Sequence, residues 1–169
     1  MSPFSPIVTI LIVALSGFLM GFDVSVISGV VPFIETEMQL SKIQVGGAVA
    51  SLTLTATLAM MLSGPLSDRI GRLPVLKIAA VLFALSAIAS AVAPDFLTLV
   101  VARLVGGLGV GAALIIAPMY IAELAPAHLR GRMVSFNQLN IVIGISAAFF
   151  SNYLILSLAD SDQAWVEQL

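Results

Sequence analysis

Hydrophobic residues in this chain fall into five runs, each about the 20 residues needed to cross a bilayer as a helix. The runs cover 7–31, 43–66, 74–93, 96–118 and 133–158. Polar or proline-containing breaks separate them: Pro32 to Lys42, Ser67 to Arg72, Pro94-Asp95, and Glu123 to Arg132. The second break is weakly marked, and the fourth run leaves open whether its helix stops at Pro118 or continues. The pattern predicts an all-α polytopic membrane protein with five transmembrane helices, and it makes 159–169 the start of an extracytoplasmic loop. An odd number of helices ending in an acidic tail predicts a truncated bundle whose next element would be a sixth helix.

Composition agrees with that pattern. Of 169 residues, 60% are hydrophobic and 9% charged, against about 25% charged in a soluble domain, and the mean hydropathy is +1.13. The absence of cysteine excludes disulfides, thiolate metal sites and thiol catalysis. A single histidine, His128, argues against a zinc site. There is no nucleophile–base pair, metal cluster or phosphate loop to suggest an enzyme, a cofactor or a nucleic-acid ligand. The first residues lack a basic region and the first run has spanning length, so no cleavable signal peptide is expected.

Placement of charge says more than its sum of −2. With the N-terminus inside, Arg69, Arg72, Lys77, Arg130 and Arg132 fall on the cytoplasmic side and only Lys42 outside. The outer side collects Glu35, Glu37, Asp95, Asp160, Asp162 and Glu167. Basic residues concentrate on the cytoplasmic side of membrane proteins. The expectation is therefore a multi-pass protein of the cell (inner) membrane, N-terminus in and C-terminus out.

Two charges lie inside the apolar runs. Asp23 stands in Gly21-Phe22-Asp23-Val24-Ser25-Val26-Ile27-Ser28-Gly29, and Arg103 in Ala102-Arg103-Leu104-Val105-Gly106-Gly107. Counted back from Pro32 and forward from Asp95, each sits roughly 12–13 Å below the outer boundary at the helical rise. A charge at membrane depth costs about 2.5–3.5 kcal/mol by insertion scales and marks an ion, proton or substrate path. An acid and a base at one depth can pair and reduce that cost. Two readings follow: a proton-sensitive pair in which protonated Asp23 releases Arg103, or a static pair that ties two helices together.

Other polar features are weaker. The glycines after Arg103 mimic a nucleotide loop, but such a loop must join a strand to a helix. Here Gly107 and Gly111 form a small-xxx-small pair that suits close helix packing. Asp68, Arg69 and Arg72 crowd the loop after the second run, with Gly71 to turn it. In the next inner loop Glu123 and Arg130 could form a switchable surface pair, and His128 reads as a solvated loop residue. On the fifth run Gln138 and Asn152 share one face within about 40°, with Val142, Ile145 and Phe149 along the same stripe. Amides both donate and accept, so this face suits a hydroxylated solute; interhelical hydrogen bonding explains it equally well.

Taken together these motifs resemble the sugar porter family of the major facilitator superfamily, from about Gly21 to Tyr153. Four patterns occur in the family's order. They are Gly21-Phe22-Asp23 with Val26-Ile27-Ser28-Gly29; Gly64 with Asp68-Arg69-x-Gly71-Arg72; Arg103 with Gly107-x-Gly109-x-Gly111; and Tyr120-x-x-Glu123-x-x-Pro126 with Arg130-Gly131, running on to Gln138. The resemblance implies twelve helices in two halves, with the solute bound between them. It implies that Asp23 is the protonation site and Arg103 its partner. Passive members tend to lack that acid, so symport is expected over facilitated diffusion. Gln138 matches a sugar-contacting glutamine, while Asp68, Arg69, Arg72, Glu123 and Arg130 match a cytoplasmic gating network. Leu73 departs from the pattern, which often has another basic residue there.

The expected function is proton-coupled symport of a sugar or polyol by alternating access, as part of a longer carrier. Its partners would be the solute, protons, membrane lipid and the missing C-terminal half. The alternatives are a truncated, non-transporting fragment, or a carrier of another small solute such as an organic acid.

Overall fold

A bilayer offers backbone groups no water, so an apolar chain must satisfy its own hydrogen bonds by coiling into helices. The computed structural model describes residues 6–37 and 39–166, and among them there are five helices. They are α1 (Pro6–Glu37), α2 (Lys42–Ile70), α3 (Arg72–Ala91), α4 (Phe96–Leu124) and α5 (Arg130–Val166). All five are long and apolar enough to cross a membrane.

Local chemistry sets the helix ends. Ser41 caps α2 reciprocally with Gln44: the Ser41 hydroxyl oxygen accepts from the Gln44 amide, and the Gln44 side chain accepts from the Ser41 amide. Asp95 caps α4 by accepting from the Thr98 backbone N–H at 3.4 Å. Between α2 and α3 the chain turns on Gly71, whose φ of 91° excludes most side chains. Ala125 is extended, the conformation favoured before proline, and ends α4 ahead of Pro126.

Three helices run further than the apolar pattern alone indicates. α1 continues through Pro32 to Glu37, and α4 passes Pro118 to reach Leu124. A proline removes one hydrogen bond from a helix and ends it only when nothing else holds the next turn. α5 extends to Val166, through residues the sequence assigns to a loop. No glycine or proline occurs between Leu158 and Val166 to stop it.

The packing divides around α4, which has α2 on one side and α3 on the other, while α1 lies along α5. Glycine determines how closely these helices approach. A Cβ on Gly107 would overlap Thr55 Oγ1 and the Leu52 carbonyl; one on Gly111 would overlap the Ala56 carbonyl. On the other flank of α4, Gly106 meets Ser86 and Gly109 meets Ala79. The packing reading of these glycines therefore holds. α1 and α5 cross as tightly, Gly21 against the Ile141 carbonyl and Gly144 against the Phe18 carbonyl. α1 and α3 face each other across a groove floored by α4. Several span hydroxyls return to their own helix, as Ser51 does to Ala48 O at 2.7 Å, whereas the buried Ser86 hydroxyl of α3 donates across to the Ala102 carbonyl of α4 at 2.7 Å.

Candidate functional site

The two intramembrane charges meet. Arg103 Nη1 donates to Asp23 Oδ1 at 3.4 Å, joining α4 to α1. The distance is about 0.5 Å beyond a tight charge-assisted bond, so the contact is an ion pair with slack. The partners differ in exposure: the Arg103 side chain retains 6% of its accessible surface and Asp23 22%. Arg103 Nε is buried without a hydrogen-bond partner.

Beside the pair lies a cavity of about 490 Å³ bounded by Phe22, Asp23 and Val26 of α1, Phe83 and Ser90 of α3, and Arg103 of α4. Its lining is mostly apolar, with Asp23, Arg103 and Ser90 as the polar groups. A carboxylate at bilayer depth thus has a polar partner on one side and room for water on the other.

A second polar group sits at the opposite end of the bundle. Arg72, the first residue of α3, donates from Nε to Glu123 Oε1 at 3.1 Å. Its Nη1 donates to Asp68 Oδ1 at 2.5 Å and to Ser67 Oγ at 2.8 Å. One guanidinium therefore ties the end of α2, the start of α3 and the end of α4. Here the structure differs from the sequence reading, because Glu123 pairs with Arg72 and not with Arg130. The turn at Pro126 to Leu129 carries Arg130 onto α5, whereas Glu123 remains on α4 beside the start of α3. Arg69 and Arg130 are exposed, and among the described residues neither makes an ion pair.

The structure also parts the two amides of α5. Gln138 is exposed, along with Val142 and Phe149 on its stripe. Asn152 is buried, its Nδ2 donating to the Val26 carbonyl of α1 at 3.2 Å. The 40° offset between the two positions is enough to turn one outward and the other into the helix contact. The buried face of α5 is instead Asn137, Asn140, Gly144, Ala148 and Asn152. Sequence reasoning passed over Asn137 and Asn140, and it passed over Ser67, which is buried beside Arg72. The available signal was the spacing of Gly144 and Ala148, small residues that mark a close-packed face.

Among the described residues, five helices long and apolar enough to cross a membrane carry a partly buried acid–base pair beside a cavity, an arrangement of the kind found in membrane transport proteins. The comparisons agree. The sugar (and other) transporter family model matches residues 9–166. The chain belongs to this family of membrane transporters. It is 45% identical over 88% of its length to a glucose transport protein of Synechocystis, of which it covers 32%. It is 42% identical over 83% of its length to an arabinose-proton symporter of Bacillus subtilis, covering 30% of that protein. An inward-open structure of the xylose transporter XylE from E. coli superposes with a TM-score of 0.81 at 38% identity. That match covers 89% of this chain and 40% of the XylE chain. The chain thus spans about a third of the length of the curated relatives it matches.

Proposed function

We propose that this chain is the proton-coupling segment of a larger carrier that imports a sugar or polyol by symport. The observation that carries the proposal is the partly buried Asp23–Arg103 pair beside an open cavity. The matches to an arabinose-proton symporter and a galactose-proton symporter support it. In this reading Asp23 takes a proton from the outer side and its hold on Arg103 weakens. Closure around the solute follows, and release of both on the inner side resets the carrier. Gln138, exposed on α5, faces the solute with an amide that matches hydroxyl groups. Asp68, Arg72 and Glu123 latch the cytoplasmic ends of α2, α3 and α4, with Arg69 and Arg130 free to engage the remainder of the carrier. The protein sits in the cell (inner) membrane with its N-terminus in the cytoplasm and lipid around its exposed apolar faces. The rest of the carrier supplies the facing half against which this bundle rocks.

The test is uptake in energised vesicles by a carrier containing this segment. Asp23→Asn should abolish proton-driven accumulation and leave counterflow exchange intact. Unchanged accumulation would reduce the pair to a static tie between helices.

A further inference from the structure

Asp23 belongs to α1 and Arg103 to α4, yet α1 lies far more extensively along α5 than along α4. The position of the carboxylate is therefore set mainly by the α1–α5 contact. That contact is held on both sides of Asp23. On the inner side the backbones cross at glycine, with Gly21 against the Ile141 carbonyl and Gly144 against the Phe18 carbonyl. On the outer side the fastening is Asn152. Its Nδ2 donates to the Val26 carbonyl at 3.2 Å, and Val26 lies about one turn beyond Asp23 on the wall of the same cavity. Asn152 is 8% exposed. It fits because residue 29 has no side chain: a Cβ there would overlap Asn152 Cγ and Nδ2.

We propose that Asn152 is a positioning residue for the Asp23–Arg103 pair, holding α1 on α5 so that the carboxylate reaches the guanidinium, and that it does not contact the solute. This rests on the coupling role proposed above. At 3.4 Å the pair has little reserve. A shift of α1 by about 1 Å directly away from Arg103 takes it past the roughly 4 Å limit of an ion pair.

Two substitutions disturb the fastening from opposite sides. Asn152→Val removes the donor, and Gly29→Ala keeps the donor but fills the space it occupies. In the carrier containing this segment, both should lower proton-driven accumulation by roughly three- to twenty-fold, the range spanned by measured hydrogen bonds between membrane helices. Both should leave the counterflow KM for sugar within about two-fold of the parent, because the amide does not face the solute. If Asn152→Val does not reach the membrane, Gly29→Ala answers the question with the amide still present. A counterflow KM raised as far as in Gln138→Ala would make Asn152 a solute contact and overturn the inference. Full accumulation by both variants beside an uncoupled Asp23→Asn would overturn the positioning role alone. Full accumulation by Asp23→Asn itself would remove the coupling role and this inference with it.

Discussion

Replacing Gly111 by alanine adds one methyl group at the closest backbone contact between α4 and α2. That methyl would overlap the Ala56 carbonyl oxygen and come within 2.7 Å of Ala56 Cα and 2.8 Å of its carbonyl carbon. These neighbours are backbone and cannot rotate away, so the helices must part by roughly 1 Å to restore contacts near 3.5–4 Å. Overpacking of this kind costs about 1–3 kcal/mol. Against it stands a gain of about 0.5–1 kcal/mol for alanine over glycine in a helix. The balance is a net loss of up to about 2.5 kcal/mol. At roughly 2–4 °C per kcal/mol for a chain of this size, the melting temperature should fall by up to about 10 °C. Gly47 of α2 provides the control, because a Cβ there meets nothing within 4 Å. Gly47→Ala keeps the helix gain and should raise the melting temperature by about 1–4 °C. The assay is thermal unfolding of the purified chain in mild detergent, followed by fluorescence-detected size exclusion. If Gly111→Ala proves as stable as Gly47→Ala, the close α2–α4 contact is not what fixes the bundle, and the argument fails.

Three further outcomes are expected. Gly71→Ala places a side chain at φ 91° and should cost about 1–3 kcal/mol, read as a lower melting temperature with the remaining helices intact; an unchanged value would show that the turn relaxes freely. Arg72→Ala and Glu123→Gln should show mutual coupling in a double-mutant cycle of carrier activity, and that coupling should fade as salt is raised because the pair is exposed. Salt-independent coupling would place the pair in a shielded interface instead. Gln138→Ala in the carrier should raise the apparent KM for sugar by about two- to twelve-fold, the loss of one uncharged hydrogen bond, with an unaltered KM returning Gln138 to a lipid- or protein-facing role.

The sequence by itself determined that the chain crosses a membrane, because hydrophobic run length is a local quantity the bilayer reads directly. It also gave reason to expect that Asp23 and Arg103 could pair, and the structure places Arg103 Nη1 3.4 Å from Asp23 Oδ1. Helix ends were less legible: Pro32 read as a stop and Pro118 left the end of its helix open, yet α1 and α4 continue past both. A proline removes one bond, and packing of the next turn decides whether the helix goes on. Only the tertiary structure decided which helices touch. Nothing local distinguishes Glu123 meeting Arg130, seven residues away, from Glu123 meeting Arg72 across the bundle. Nor could a helical wheel resolve a 40° offset into one exposed amide, Gln138, and one buried amide, Asn152. In a membrane every apolar face is equally welcome to lipid, so polarity does not mark the inside of the bundle. Close-packing of small residues does, and which glycine meets which backbone is settled only when the helices come together.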